Sequence, residues 1–207
     1  MLTEDRINAN FLAYVKRLEK YGCYSEELIK DLGENLKYCS YSLNEDSGSA
    51  YQGSMIDVVL NTLCKLAYHI NENAFGGGDE KIAHPFLKVN IEMLMRVLLL
   101  QHIGKCQMFV PQREQWKIKK GYLFDFNENL DANLKLGERS IYLCQKYGIK
   151  LNEEEFEAMR IIDKTDEGKS DAFSSPLSII VKIANILTAI ELRRKYLATL
   201  RHETIER

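Results

Sequence analysis

The sequence predicts a mostly α-helical bundle with a small β-hairpin insertion near residues 108–126. Apolar residues recur every three or four positions through most of the chain, which is the spacing of one helix face. Capping residues, Gly and Pro separate these segments, and only one stretch changes to interleaved aromatic and polar residues. With 207 residues, of which 45% are hydrophobic, the chain can bury one sizeable core. We therefore expect a single domain over residues 1–207.

Two helices are predicted near the N-terminus. Thr3 suits an N-cap because two acidic residues follow it. The apolar side chains that come next have helical spacing: Ile7, Phe11, Leu12, Val15 and Leu18. Gly22 ends this helix, and Ser25 begins a short second helix that ends at Gly33. Residues 40–54, rich in Ser, Gly, Asn and Asp, are expected to form a loop.

The middle of the chain carries two more helices. Residues 55–71 place apolar side chains on one face, and three consecutive glycines, Gly76–Gly78, break the pattern. Pro85 suits a first helical position, and the strongly apolar helix that it opens runs through His102 and ends at Gly104. Because this helix is apolar on most faces, we expect it at the centre of the fold.

The stretch from Met108 to Phe126 predicts the β-hairpin. Its aromatic and apolar residues are interleaved with polar ones around residues 119–121. The residues of this stripe are Trp116, Ile118, Tyr122, Phe124 and Phe126. Such a stripe either stacks a base or nucleoside or packs one side of the hairpin against the helical core. Both interpretations stay open at the level of sequence.

The C-terminal part of the chain predicts three helices. One lies near residues 133–147, a second runs from Asn152 to about Asp163, and a long final helix follows Pro176. The polar segment between the last two, residues 163–175, is predicted to be a surface loop.

Composition and charge exclude several classes of protein. The formal net charge is −2, so no global field draws the chain to nucleic acid or to an anionic membrane. The N-terminus lacks the pattern of a secretory signal, and the longest apolar stretch falls short of the ~20 residues that span a bilayer. The five cysteines are odd in number and far apart, which predicts buried free thiols in a reducing compartment. We therefore expect a cytoplasmic protein.

Several motifs, taken in order, resemble those of a known family. The end of the central helix, LLQHIGK over residues 99–105, resembles the LLHDIGK segment of HD-domain metal-dependent phosphohydrolases. The run KLGERS over residues 135–140 and the run LNEEEFEAMR over residues 151–160 are similar to the GHGE(K/R)S and LTxEExxAIRWH segments of one HD subfamily. Upstream, AYQGSMIDVVLN over residues 50–61 resembles AYEGGLLEHSLN.

The resemblance continues into the last helix and covers about residues 50–195. Pro176 and Leu177, followed by IANIL over residues 183–187, are similar to the final PL and LADLL elements of that subfamily. The resemblance implies an HD-domain-like helical bundle. Helices within residues 1–40 and the end of the C-terminal helix are then extensions of it.

The metal ligands that the resemblance implies are absent from their positions. Val58 stands where the family has its first His, Gln101–His102 replaces the His-Asp pair, and Asn185 replaces the last Asp. Two further His positions of many members correspond to Leu136 and Ile162. Aliphatic side chains offer no lone pair and neutral amides are poor ligands for a hard divalent ion, so we expect no metal site and no cofactor.

A divalent metal remains possible only at a shifted site, formed by Asp57 with His102. On a helix, a shift of one residue turns the side chain by about 100°, away from the original ligand direction. The alternative interpretation of Asp57 is a solvated helix residue. A remnant pocket without metal is predicted instead, and its polar members are Gln101, His102, Lys105, Arg139 and Asn185, with Asp163 nearby.

Lys105 and Arg139 are the candidate anion-binding residues of this pocket. In HD enzymes the Lys of the central motif commonly lies near the substrate phosphate, and pairing of a cation with phosphate needs no metal. The alternative is structural: Lys105 is a cation at the C-terminus of a helix and Arg139 is a partner of nearby carboxylates.

Three functions remain open from the sequence. The first is a catalytically inactive HD-like module that binds a small anionic ligand or a protein partner. The second is a divergent phosphohydrolase, acting on a nucleotide or another phosphate ester, with His102 as general base helped by Lys105 and Arg139. The third is a homo-oligomer formed through the terminal helices, around Ile190, Leu192, Tyr196 and Leu200.

Overall fold

A computed structural model describes residues 2–73, 89–163 and 174–205. Its first helices are α1 (Glu4–Lys20), α2 (Glu26–Tyr38), α3 (Ser54–Val58), a π-helical segment (Val59–Leu63) and α4 (Cys64–Asn73). They are followed by α5 (Ile91–Leu100), α6 (Lys105–Met108), strand β1 (Phe109–Pro111), α7 (Gln115–Lys119) and strand β2 (Phe124–Phe126). The last elements are α8 (Leu136–Lys146), α9 (Glu153–Arg160) and α10 (Pro176–Ile205), with short 3-10 turns at Glu45–Ser47 and Ile161–Asp163. The predicted class, mostly α with a small β-hairpin, is confirmed.

The N-terminal helices differ from the prediction in one boundary. The Thr3 hydroxyl accepts a hydrogen bond from the Arg6 amide and begins α1, as predicted. The predicted end of the second helix at Gly33 is wrong, since α2 continues to Tyr38. Leu32 and Leu36 are both buried, so the apolar face of α2 continues past the glycine and packing outweighs its low helix propensity.

The predicted helix over residues 55–71 is confirmed, but its geometry changes along its length. It is α-helical over α3, π-helical from Val59 to Leu63, and α-helical again in α4. Its predicted apolar face is buried through the π-helical segment. The triplet Gly76–Gly78 lies outside the described residues.

The central helix α5 begins later than predicted. Its N-cap is Asn90, whose side-chain oxygen accepts a hydrogen bond from the Glu92 amide, so a start at Pro85 is wrong for this helix. Pro85 itself lies outside the described residues. The predicted central position is confirmed, because α5 packs against α1, α4, α9 and α10 and its aliphatic side chains from Leu94 to Leu100 are nearly all buried.

The hairpin is confirmed at its ends and corrected in its middle. Strands β1 and β2 pair antiparallel, with Phe109 opposite Phe126 and Pro111 opposite Phe124. Between them the chain forms helix α7, so Trp116 and Ile118 lie on a helix and not on a strand. Gly121, with a φ of 84°, follows α7 and turns the chain back toward β2.

The aromatic stripe of the hairpin is therefore divided. Phe124 is buried against the body of the protein, as the packing interpretation requires. Trp116, Tyr122 and Phe126 are exposed, and the Trp116 indole donates a hydrogen bond to Glu114 and lies under the Lys120 ammonium.

The three C-terminal helices are confirmed as α8, α9 and α10. Most of the predicted loop between α9 and α10 lies outside the described residues. Helix α10 packs against α4, α5 and α9. Among the described helices, none combines the length and the apolar character needed to cross a membrane. All five cysteines are free and buried, as predicted.

Candidate functional site

A buried polar cluster surrounds His102, directly after the central helix. The Nε2 atom of His102 lies 3.2 Å from the Tyr41 hydroxyl and 3.3 Å from the side-chain oxygen of Asn185. The Tyr41 ring meets the imidazole edge-on, with centroids 4.8 Å apart. Only 1% of His102 is exposed. Burial, together with the nearby Lys105 ammonium, lowers the pKa of His102 well below its usual range, so the ring is neutral at pH 7.

Gln101 and Asn185 complete this cluster. The Asn185 amide donates hydrogen bonds to the side-chain oxygen of Gln101 at 3.0 Å and to the Val181 carbonyl at 2.9 Å. The Nε2 atom of Gln101 and the Nδ1 atom of His102 are buried and have no hydrogen-bond partner among the described residues. The structure thus brings together three of the five residues predicted for the remnant pocket.

Tyr41, which sequence reasoning did not select, closes the cluster from the loop 40–54. The Ser54 hydroxyl accepts a hydrogen bond from the Tyr41 amide at 2.8 Å and donates one to the Ser49 carbonyl at 2.6 Å, which fixes the loop. Burial raises the pKa of the Tyr41 phenol, so this side chain is a neutral partner of His102. An aromatic residue inside a serine-rich loop is the only sequence signal for it.

Lys105 lies beside the cluster and is paired with Tyr41. Its ammonium donates a hydrogen bond to the Tyr41 carbonyl at 2.5 Å and lies 3.5 Å from the centroid of the Tyr41 ring. Burial lowers the pKa of Lys105 to about 7. The alternative interpretation of Lys105 as a C-terminal helix cation is wrong, because α5 ends at Leu100 and Lys105 is the first residue of α6. No described carboxylate is within ion-pair distance of it.

Arg139 is separated from the His102 cluster and lines a different cavity. This cavity has a volume of about 670 Å³ and is bounded by α2, the hairpin, residues 127–134 and α8. Gln101, His102, Lys105 and Asn185 do not line it. The prediction that all five polar residues share one pocket is therefore wrong for Arg139, since α8 turns this side chain toward the hairpin rather than toward α10.

The guanidinium of Arg139 is buried but only partly satisfied. Its Nη1 donates a hydrogen bond to the side-chain oxygen of Gln107 at 3.4 Å, and its Nη2 donates one to the Ala132 carbonyl. Its Nε is buried without a partner, although only 5% of the residue is exposed. Among the described residues no carboxylate pairs with it, so the interpretation of Arg139 as a partner of nearby carboxylates is not what the structure shows.

Amides and aromatic rings form much of the wall of this cavity. The side-chain amides are Asn35, Gln52, Gln107, Asn127 and Asn129, and the aromatic residues are Tyr38, Phe109, Phe124 and Tyr142. Glu34, Asp131 and Lys146 add exposed charges to its lining. The cavity therefore offers one buried cation, several neutral hydrogen-bonding groups and flat apolar surfaces.

The positions implied to hold metal have other surroundings. Val58 is buried in the apolar core, and Leu136 and Ile162 are half-buried. Asp163, beside Ile162, accepts hydrogen bonds from the Gly137 and Glu138 amides at 2.9 and 3.0 Å and caps α8.

Asp57 is not the solvated helix residue that one interpretation required. Its carboxylate accepts hydrogen bonds from the Asn10 amide at 3.0 Å, the Tyr51 hydroxyl at 2.8 Å and the Asn61 amide at 2.8 Å. None of these donors belongs to the His102 cluster. Within residues 2–73, 89–163 and 174–205, no three His, Cys, Asp or Glu side chains come together in a way that could hold a metal ion.

Comparisons with protein-family profiles, with curated proteins and with solved structures find no match to this chain. The resemblance to HD-domain phosphohydrolases therefore remains a prediction from the sequence motifs. The geometry around His102 and Arg139 carries the functional argument.

Proposed function

We propose that this chain is a catalytically inactive, HD-like cytoplasmic protein that binds a small anionic ligand in the cavity beside Arg139. The observation that carries the proposal is the Arg139 guanidinium: it is almost fully buried in the cavity wall and has no carboxylate partner among the described residues. A buried cation without a counter-ion is unfavourable unless another group compensates its charge.

An anionic ligand supplies that compensation. A guanidinium has five N–H donors in a planar fork, and the Arg139 side chain uses two of them on Gln107 and Ala132. A carboxylate or phosphate oxygen pair suits such a fork because it accepts two parallel hydrogen bonds. The free donors of Arg139 therefore favour a ligand with one of these two groups.

The rest of the cavity restricts the ligand further. Its volume of about 670 Å³ is in the range of small-molecule pockets. The side-chain amides favour a ligand with hydrogen-bonding groups in addition to its anion. The exposed carboxylates of Glu34 and Asp131 disfavour a polyanion such as nucleic acid, because they repel its other phosphates.

The geometry of the His102 cluster supports the proposal that the protein is catalytically inactive. Its side chains bond to one another, and with His102 only 1% exposed there is little room for a substrate beside the imidazole. The amides of Gln101 and Asn185 stand where the resemblance implies a His ligand and an Asp ligand. Hydrolysis of phosphate esters has a very high uncatalysed barrier, which one buried base does not lower far.

The proposal is tested by calorimetric titration of the whole chain with two simple probes, inorganic phosphate and acetate. We expect at least one of them to bind the wild type, and Arg139→Met to weaken its binding by at least about tenfold because the charged fork is lost. Lys146→Gln, which removes an exposed cation that lines the same cavity, is the matched control and should change affinity less than about threefold. Equal binding by Arg139→Met, or no binding of either anion by the wild type, would overturn the proposal.

The divergent phosphohydrolase is the second candidate, and one observation favours it. The Nδ1 atom of neutral His102 is buried and has no hydrogen-bond partner among the described residues, so the fold leaves one ring nitrogen free of a structural hydrogen bond. Phosphate release from nucleoside and sugar phosphates, measured with and without a chelator, tests this candidate. Turnover that disappears in His102→Ala, while Lys146→Gln stays active, would establish it; stoichiometric metal that disappears in the same variant would establish the shifted metal site.

A further inference from the structure

Helix α10 is apolar on two opposite faces. Its inner face, which includes Leu177, Val181, Ala184 and Leu192, is buried against the body of the protein. A second set of large aliphatic side chains lies on the opposite face. This outer stripe consists of Ile183, Ile186, Leu187, Ile190 and Leu197, each of which is 38–58% exposed. A helix that packs on one face only would carry polar residues at these positions.

We propose that the outer stripe is a homodimer interface, in which α10 packs antiparallel against α10 of a second copy of this chain. Ile190, the most exposed member at 58%, lies at the centre of the stripe and meets Ile190 of the second copy on the two-fold axis. The inference is independent of the anion cavity, because no residue of the outer stripe lines that cavity.

The spacing of the stripe suits packing of one helix on another. Ile183, Ile186 and Ile190 are separated by three and four positions, and Leu197 continues the same alternation seven positions later. Apolar side chains at such 3-4 spacing form the seam along which two long helices interdigitate. The segment from residue 183 to residue 197 spans about 21 Å of helix, so the seam is several turns long.

The distribution of charge along α10 favours a second copy of this chain, in antiparallel orientation, as the partner of the outer stripe. Residues 176–189 contain a single charged side chain, Lys182, whereas residues 190–201 contain four cations, Arg193, Arg194, Lys195 and Arg201. A parallel pair would place the cationic halves side by side, while an antiparallel pair places each beside an apolar half. The antiparallel arrangement also opposes the two helix dipoles favourably.

The cations near the centre of the helix already have partners within the chain. Arg193 contacts Asp46, with a carboxylate oxygen at 3.9 Å, and Glu191 pairs with both Arg194 at 3.5 Å and Lys195 at 3.4 Å. The outer stripe therefore does not require an acidic partner protein, and its apolar side chains match those of a second copy.

The antiparallel register is self-complementary. With Ile190 on the axis, Ile183 of one copy meets Leu197 of the other, since both are seven residues from the axis. Ile186 lies four residues from the axis and meets the position of Arg194. The aliphatic stem of an arginine covers such an isoleucine while its guanidinium stays in water.

Sedimentation equilibrium of the full chain, from micromolar to near-millimolar concentrations, tests the dimer. We expect the wild type to dimerise with concentration, and Ile190→Glu to raise the dissociation constant at least about tenfold because two carboxylates would then meet on the axis. Ala198→Glu, an exposed position of the same helix outside the stripe, is the matched control and should dimerise like the wild type. A monomer throughout the concentration range, or a dimer that Ile190→Glu leaves intact, would overturn the proposal. A monomer would mean that the outer stripe binds a different protein.

Cysteine cross-linking tests the direction. The native thiols are buried and do not compete for the new ones. An equimolar mixture of Ile183→Cys and Leu197→Cys should form a disulfide-linked dimer between the two variants, because antiparallel packing joins these positions. Leu197→Cys alone should not, because the two copies of residue 197 would lie about 21 Å apart along the helix axis, far beyond the reach of a disulfide. Efficient cross-linking of Leu197→Cys alone would show a parallel pair and overturn the antiparallel arrangement.

Discussion

Two arginines of this chain, the half-buried Arg96 and the buried Arg139, differ in how completely their N–H donors are used. The Nε of Arg96 donates to the Glu155 carboxylate at 2.6 Å, and its two terminal nitrogens donate to the carbonyls of Tyr21, Gly22 and Lys150 at 2.7–3.1 Å. Arg139 has two acceptors, neither of them charged, and a buried Nε with no partner among the described residues. Arg96 thus uses four of its five N–H donors, and Arg139 uses two.

This difference distinguishes a cation that stabilises the fold from a cation that is available to bind a ligand. Arg96 joins α5 to the turn after α1 and to α9, so its donors hold the fold together. Arg139 lines a cavity, and the fold leaves part of its donor capacity unused. Arg139 is the more buried of the two, so burial does not identify Arg96 as the structural residue; the number of satisfied donors does.

The largest effect on stability is expected from removing Arg96, the arginine whose donors are used more completely. Arg96→Met leaves Glu155, which is only 3% exposed, as a buried carboxylate without its cation. We expect the free energy of unfolding to fall by about 3–5 kcal/mol, measured by urea denaturation. The double variant Arg96→Met with Glu155→Leu removes both charges and should recover a large part of the loss. A loss below about 1 kcal/mol in the single variant would show that the pair does not hold the helices together.

The next largest effect on stability is expected from Lys105, which is buried and, like Arg139, has no carboxylate partner among the described residues. Its folded-state pKa of about 7 is below the ordinary value of 10.5, so between these values the unfolded chain binds a proton that the folded chain does not. Stability should therefore rise with pH, by about 1.5 kcal/mol from pH 7 to pH 8.5. Urea denaturation at both pH values measures it, and Lys105→Met should remove this rise.

The pH window for that comparison is set by other buried groups. From about pH 8 upward the cysteines act in the opposite direction, because burial raises the pKa of Cys39 and Cys64 to about 12 and the unfolded thiols ionise first, so the Lys105 contribution is the difference between wild type and Lys105→Met. Below pH 6.5 His102 contributes with the same sign as Lys105, because the unfolded chain takes up a proton that buried His102 does not. A rise of equal size in wild type and Lys105→Met would assign it to other groups.

A smaller effect on stability is expected at the N-terminal cap of α8. Asp163 caps α8, the helix that carries Arg139, through the Gly137 and Glu138 amides. Asp163→Ala should cost about 1 kcal/mol of stability in urea denaturation because two helix amides lose their acceptor. Asp163→Asn keeps a hydrogen-bond acceptor and should lose less. If both variants match the wild type, the cap does not contribute to the stability of the helix.

The smallest effect on stability sharpens the comparison of the two arginines. Arg139→Met keeps most of the side-chain volume and gives up two hydrogen bonds to neutral acceptors. The free energy of unfolding should change by less than about 1 kcal/mol, although anion binding is lost. A loss as large as that of Arg96→Met would mean that Arg139 is also a structural residue.

The sequence predicts the parts of this fold that local chemistry decides. The caps at Thr3, Ser25 and Asn152 each bond to an amide three residues further on, so the starts of three helices were recognisable. Positions decided by packing were missed. Gly33 stays helical because its neighbours are buried, and α7 forms inside the predicted hairpin without a capping side chain to mark it.

The candidate site could be predicted in part. Gln101, His102 and Asn185 meet as expected, because the end of α5 lies against the buried face of α10. Tyr41 was missed since its contact with His102 joins residues 61 positions apart through a loop with no regular pattern. The placement of Arg139 depends on the direction of α8, which the cap from Asp163 helps to fix and which no local pattern reveals.

The five buried thiols give this chain its own set of probes for local unfolding. Cys23, Cys39, Cys64, Cys106 and Cys144 are distributed over the region from the end of α1 to α8, and each is shielded in the folded state. A thiol reagent can modify such a cysteine only while its surroundings are open, because the buried thiol is both inaccessible and protonated. Mass spectrometry of the modified peptides over time would therefore rank the opening of the individual helices without any substitution, and would show which part of the core opens first.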